Sequence, residues 1–221
     1  MPGTIYALAN QKGGVGKTTT AVNLAACLAE AGERVLVVDL DPQANATSGL
    51  GERANGVSSA DLLDGVPLVT LTRATRFPNL DVVPAKADLA GTAADLARRD
   101  NAEHYLAEAL KDATDRYAFV FVDCPPALGP LTVNAVKGRL NPRLSVGGVL
   151  LTMVDGRTKL SADVAAELER HLGALVFRTR VPRSVRVAEA PSHGLPVIAY
   201  DRHSAGAEAY WKVAMELVER S

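Results

Sequence analysis

The chain has 221 residues and a formal net charge of −1, with an isoelectric point near 6.4. Bulk charge therefore does not advertise a nucleic-acid binder, and any DNA contact must come from a local patch. Hydrophobic residues make up 48%, and the length suits one α/β domain spanning residues 1–221 with a well-buried sheet. No apolar stretch is long enough to span a bilayer. The N-terminus enters a strand without the basic region and apolar core of a signal peptide, so a cytoplasmic location is expected. Cys27 and Cys124 are the only cysteines, isolated from each other, which fits a reducing compartment better than a disulfide framework.

In chain order, Thr4–Asn10 is an apolar run that reads as a parallel strand covered on both faces. The loop Gln11-Lys12-Gly13-Gly14-Val15-Gly16-Lys17-Thr18-Thr19 follows, then a helix over Ala21–Ala31 that Gly32 is placed to end. Arg34–Leu40 is the second strand, which completes a βαβ unit. Ala44–Thr75 is less regular, with a short helix at Asp61–Gly65. Leu80–Pro84 is a brief third strand. Helices are predicted over Ala85–Arg99 and Ala102–Arg116, and a clear strand over Ala118–Asp123, stopped by Pro125-Pro126. Leu128–Leu140 reads as a helix and Gly148–Val154 as a strand. Ser161–Leu172 reads as a helix with Ser161 at its N-cap, and Ala174–Thr179 as a last strand. A proline-interrupted loop, Val181–Leu195, leads to a closing helix over Ser204–Arg220. The alternation of strand and helix predicts a three-layer, doubly wound, mostly parallel α/β sheet.

Strand, glycine loop and helix form the context of a phosphate-binding loop. Glycines let successive N–H groups converge on phosphate oxygens, and the following helix adds its positive dipole end. Lys17 supplies a point charge for β- and γ-phosphates, and the Thr18 hydroxyl suits Mg²⁺. Lys12 stands where the usual Gly-x-x-x-x-Gly-Lys-Thr spacing has its first glycine. A second lysine is excessive for one nucleotide. It is either a solvated charge or one that reaches a phosphate held by another subunit. Asp39, Asp41 and Asp123 fall at or just beyond strand C-termini, the ligand edge of an open α/β sheet, where carboxylates can hold Mg²⁺ through water and orient an attacking water.

Between Arg157 and Arg186 lie Arg157, Lys159, Arg170, Arg178, Arg180, Arg183 and Arg186, against Asp163, Glu167 and Glu169. Such an excess suits salt-dependent binding of DNA phosphates without sequence readout, or is simply a solvated face.

Four stretches resemble the deviant Walker A ATPases, and specifically the ParA/Soj chromosome- and plasmid-partition family of the MinD/ParA superfamily. They are Ala9 through Ala25 around the loop, Asp39-Leu-Asp-Pro-Gln, Asp123-Cys-Pro-Pro and Glu189-Ala-Pro-Ser-His-Gly. The resemblance runs over nearly the whole chain. It implies a P-loop ATPase that uses ATP and Mg²⁺ and closes into a nucleotide-sandwich homodimer. Such a dimer coats non-specific DNA on the nucleoid and is stimulated to hydrolyse by a ParB/Spo0J-like centromere-binding protein, with slow turnover alone and no membrane partner.

By the same resemblance Lys12 crosses the dimer to the partner's ATP, and Gly13, Gly14, Val15, Gly16, Lys17, Thr18 and Thr19 cradle the phosphates, Gly13 also packing on the partner subunit. Lys12, Lys17 and Asp39 are the catalytic set, with Asp39 positioning water and Asp41 in support. Thr18, Asp39 and Asp123 attend the metal. Asn10 adds a polar contact near the phosphates, Val181-Pro182-Arg183 lies on the adenine side, and Arg157, Lys159 and Arg186 are the DNA contacts.

Two departures from the family are visible. Asn134-Ala-Val-Lys-Gly-Arg-Leu-Asn-Pro-Arg runs straight through, where relatives interpose about one βα unit of some 30 residues, whose strand would lie mid-sheet beside the loop strand. Ala44 stands where relatives usually have Gly, which is expected to stiffen the switch. The shortening keeps alive a reading as a catalytically degenerate nucleotide-binding paralogue. A MinD-like membrane cycle would need a basic amphipathic tail, and the closing helix is amphipathic but not basic.

Overall fold

The computed structural model describes residues 3–96, 105–126 and 145–221. The predicted helix over Leu128–Leu140 lies outside the described residues. Five strands form one sheet in the order β1-β5-β2-β4-β3: β1 (Thr4–Leu8), β2 (Val35–Asp39), β3 (Arg73–Ala74), β4 (Leu80–Val83) and β5 (Phe119–Asp123). All neighbours are parallel except the short β3, which runs antiparallel to β4. This is the α/β P-loop NTPase arrangement that the alternating pattern predicts.

The central strands explain themselves. β2 (Val-Leu-Val-Val-Asp) and β5 (Phe-Val-Phe-Val-Asp) are buried along their whole length, as β-branched and aromatic runs must be when helices cover both faces. Alternate residues feed opposite cores. Val35, Val37, Phe119 and Phe121 pack towards the first helix, while Leu36, Val38, Val120 and Val122 pack towards the other layer.

The first helix, α1 (Lys17–Glu30), is buried continuously from Thr20 to Ala29. Its alanines allow that close approach on every side. Asn23 is a buried polar exception with both ends satisfied. Its amide donates to the Thr19 carbonyl (2.7 Å), and its oxygen accepts from the Val197 N–H (2.7 Å).

The region after β2 holds three short helices, α2 (Asn45–Gly49), α3 (Ser59–Leu63) and α4 (Leu68–Leu71). Within the described residues, the first of the two helices predicted before β5 starts later than expected and the second ends earlier: α5 (Leu89–Leu96) and α6 (Tyr105–Ala109), the latter followed by a 3-10 turn at Ala113–Asp115. α7 (Lys159–Leu172) is capped by Thr158, whose hydroxyl accepts from Ser161 N–H, so Ser161 lies inside the helix rather than at its cap. The loop predicted over Val181–Leu195 contains α8 (Val185–Glu189) and a 3-10 turn (Ala190–His193), followed by α9 (Val197–Tyr200). The closing helix α10 (Ala205–Arg220) buries its apolar face, including Tyr210, Val213, Ala214 and Leu217. The Tyr210 hydroxyl meets that of Thr20 at 3.3 Å. Most of the helix's apolar residues are spent on the core, with Trp211 and Val218 left exposed.

Three strand expectations are corrected. β1 is not covered on both faces: Thr4 and Ile5 are exposed, and among the described residues β1 is an outermost strand of the sheet. Gly148–Val154 and Ala174–Thr179 do not become ladder strands. They make only two isolated parallel bridges, Val149 with Val176 and Val154 with Pro182. The physical reason is shared. Among the described residues no strand lies between β1 and 148–154, so within them the second segment has no neighbour on that side to hold it flat. This is the outcome expected of a sheet from which one mid-sheet βα unit is missing.

Candidate nucleotide site

The glycine loop leaves β1 at the carboxyl edge, where its conformation requires glycine. Gly14 and Gly16 hold φ of 71° and 87°, a left-handed region that other residues enter at a cost of about 1 kcal/mol or more. Gly16 is the N-cap of α1, with no side-chain cap. The N-terminal amides of the helix are thereby left open to an anion. Lys17 folds back over the loop, its Nζ 3.4 Å from the Lys12 carbonyl. Lys12 itself is exposed. Its N–H donates to Asn10 Oδ1 (3.0 Å), so Asn10 is occupied in shaping the turn. Gly13 backs onto Pro126.

Beside the loop lie the carboxylates. Register places Asp39 and Asp123 side by side at the ends of β2 and β5. Asp123 is fully buried, and neither of its oxygens makes a hydrogen bond of good geometry, although the Thr18 hydroxyl lies close enough to favour its charged form. Burial pushes its pKa up to about 7, helped by Asp39 and Asp41, while the Thr18 hydroxyl and Lys17 pull the other way. A buried carboxylate without a donor is costly unless a cation is part of the design.

Asp39 is equally buried but fully engaged. Its oxygens accept from the Asp41 N–H (3.1 Å), the Thr47 N–H (2.8 Å) and the Thr47 hydroxyl (2.7 Å). Burial raises its pKa to about 6 against those hydrogen bonds. Asp41 caps the turn through Gln43 N–H (2.9 Å). Thr47 is a site residue that sequence reasoning missed. A threonine six residues beyond Asp41 carries no motif signal, and only the tight turn of α2 brings it back. Thr152 is another such residue: its hydroxyl donates to the Val15 carbonyl (2.8 Å) and braces the loop from behind.

Ala44, at the N-cap of α2, has φ 53° and ψ 36°. The left-handed conformation confirms why glycine suits this place. Ala44→Gly should raise stability by up to about 1 kcal/mol, because relief of the Cβ strain exceeds the extra freedom given to the unfolded chain. Urea denaturation of both proteins checks this, and a loss of stability would show that the strain is absent.

Pro182 and Arg183 stand at the same edge, joined to Val154 by the Arg183 N–H to Val154 carbonyl bond (3.2 Å). The basic stretch is more balanced than its sequence suggests. Arg157 grips Asp155, holding that carboxyl down to about 2. Arg170 pairs with Glu167, Arg178 with Glu219, and Arg180 with Glu169. Arg186 lies 3.1 Å from Glu189 and 3.2 Å from Asp201. Only Lys159 and Arg183 of the seven have no ion-pair partner among the described residues.

The sequence pattern of the AAA domain family matches residues 3–138. The chain is 43% identical to the sporulation initiation inhibitor protein Soj of Bacillus subtilis, over 97% of this chain and 98% of that protein.

The chain belongs to the ParA/Soj family.

It is also 46% identical to the chromosome-partitioning ATPase Soj of Thermus thermophilus, over 97% of this chain and 95% of that protein. Among solved structures, cobyrinic acid a,c-diamide synthase from Mycobacterium smegmatis, with bound ATP analogue and magnesium, superposes with a TM-score of 0.81 at 32% identity, covering 98% of this chain and 95% of that one. The alignment to the Bacillus protein runs over 248 positions against a chain of 221 residues, so at least 27 positions of this ParA/Soj relative have no counterpart here. That number is of the size of the unit read as missing near Asn134.

Proposed function

We propose that this ParA/Soj-family chain is a partition ATPase acting as one domain over residues 1–221. In this reading it binds ATP with Mg²⁺, closes into a nucleotide-sandwich homodimer, holds DNA without sequence preference on the nucleoid, and hydrolyses slowly until a ParB/Spo0J-like partner accelerates it. The observation that carries the reading is the buried, unpartnered Asp123 beside Lys17 and Thr18 at the mouth of a glycine loop. The residues fit a magnesium ion. Among the described residues no cluster of three His, Cys, Asp or Glu side chains forms a cage. Magnesium in phosphate sites is held instead by one or two protein groups plus phosphate oxygens and water, which Thr18 and Asp123 can supply. When bound, the ion neutralises charge on the phosphates.

The chain's own residues divide the work. Amides of Gly13 to Thr19 and the Lys17 ammonium bind and orient the phosphates. Lys12, exposed at the loop's rim, reaches a partner's nucleotide. Asp39 orients water once the segment that occupies it, Asp41 to Thr47, shifts. Pro182 and Arg183 line the adenine side. Arg157, Lys159 and Arg186 carry the DNA contacts, with Lys159 the most available because it is not already paired.

The test is retention on arbitrary-sequence DNA with ATP, ADP or no nucleotide. Retention with ATP alone, weakened by salt and several-fold by Lys159→Ala, supports the reading. ATP binding without retention or turnover, even with the cognate partner protein, would instead support a nucleotide-binding paralogue. The edge of β1 that stays unpaired among the described residues favours that as the second reading. Asp39→Ala hydrolysing at the wild-type rate would remove Asp39 from the catalytic set.

A further inference from the structure

We propose that the gap between β1 and residues 148–154 is a docking site for a strand–helix segment supplied by another polypeptide, an apolar strand of about five residues followed by an amphipathic helix. The proposal is independent of whether the chain hydrolyses ATP.

Two separate observations point to this occupant. The first is a pair of strand edges that have no backbone partner among the described residues. Thr4 N–H bonds to Ala118 and the Leu8 carbonyl to Cys124. In a parallel pair alternate residues face one neighbour, so Ile5 and Ala7 turn their amides and carbonyls to the opposite side. On 149–154, residues Val149, Leu151 and Val154 bond to the stretch 175–183, which leaves Leu150 and Thr152 facing β1. Among the described residues two side-chain contacts join this segment to β1 and the loop after it. A Cβ on Gly147 would lie 3.2 Å from the outer edge of the Tyr6 ring, and Thr152 reaches Val15. Contact through a ring, without backbone bonds, fits a separation of about two strand spacings, or roughly 10 Å.

The second observation is α7. Only Ala165 of its fourteen residues is buried. Leu160, Val164, Leu168 and Leu172 recur every four residues as an apolar stripe, and Leu160 is 74% exposed. Successive right-handed crossovers that step the same way across a parallel sheet put their helices on the same face. A βα unit inserted beside β1 would therefore lay its helix next to α7, over this stripe. The edge and the stripe ask for one object, and the relative of known sequence has at least 27 extra positions, enough to make it.

A second copy of this chain fits less well. Two-fold pairing of β1 edges would be antiparallel, whereas β1 and 149–154 require a strand parallel to both.

The test adds to the full chain a synthetic peptide copied from the Bacillus subtilis Soj positions that have no counterpart here, and follows binding by calorimetry and amide hydrogen exchange. The expected result is saturable binding with slowed exchange at Ile5, Ala7, Leu150 and Thr152. Affinity should fall at least about ten-fold in Leu160→Asp/Val164→Asp, whose exposed positions spare the fold, and for a peptide N-methylated along its strand. Unchanged exchange at Ile5 and Ala7, or equal binding of the N-methylated peptide, overturns the proposal. So does slow exchange at those amides in the chain alone with sedimentation as a dimer, which would assign the edge to self-association.

Discussion

Asp123→Asn should make the nucleotide-free protein more stable while removing magnesium-dependent turnover. The carboxylate is fully buried and unpartnered, and burial pushes its pKa from 3.8 to about 7. A folded-state pKa above the unfolded value means stability that is present at low pH and lost as pH rises through about 7. At 1.36 kcal/mol per pKa unit, the charged form costs the fold about 4 kcal/mol at pH 8. Asparagine removes the charge but leaves a buried amide, so a net gain of about 1–3 kcal/mol is expected. That gain should shrink below pH 7 and change sign before pH 4, where the wild-type aspartate is largely neutral in both states and only the cost of the buried amide remains. Denaturant titrations of both proteins from pH 4 to 8 give the answer, and a variant less stable than wild type at pH 8 would mean that the carboxylate has a donor. In parallel, ATP turnover should fall by at least about 100-fold if Asp123 serves the metal.

Glu216→Gln should do the reverse and cost about 2–3 kcal/mol at neutral pH. Glu216 on α10 is also buried, but surrounded by donors: the N–H groups of Arg178 (2.8 Å) and Thr179 (3.0 Å), and the Arg220 guanidinium (2.6 Å). Burial alone would raise its pKa, and the hydrogen bonds together outweigh it and hold it down at about 2. Here the folded-state value lies below the unfolded one. The stabilisation is present above the ordinary pKa of 4.5 and lost as pH falls from there through about 2. Glutamine turns an N–H towards groups that are all donors. The measurement is the denaturation midpoint at pH 7 and pH 3, with the difference between wild type and variant narrowing at pH 3. Equal stability at pH 7 would show that the segment 176–182 is held by other contacts. Together with Asp123 and Asp39, this predicts greatest stability of the empty protein near pH 5, on the acid side of neutrality.

The loop, the first βαβ unit and the acidic strand ends were legible because each is local. Glycine spacing, a β-branched run and an aspartate after it are read within a few residues. What was not legible depends on partners far along the chain. Gly148–Val154 has strand composition, yet composition cannot show that it has no strand neighbour towards β1 among the described residues. Arg186 and Arg178 look cationic in sequence, but Asp201 and Glu219 arrive from later segments to neutralise them. Thr47 and Thr152 are site residues only because turns bring their hydroxyls to Asp39 and Val15. Ser161 and Thr158 were both plausible caps by type, and three-residue spacing to a free N–H decided for Thr158.

The Thr47 hydroxyl has a single proton, and it is committed to Asp39. Its lone pair is then free to accept the Ala85 N–H, which it does at 3.0 Å. The bond polarity along Ala85, Thr47 and Asp39 is thus one-directional. The Ala85 amide, just past β4, becomes a resident probe of the switch. Whenever Asp39 releases Thr47, that amide loses its orienting acceptor, and its resonance frequency and solvent exchange should change in step, without any label placed in the site itself.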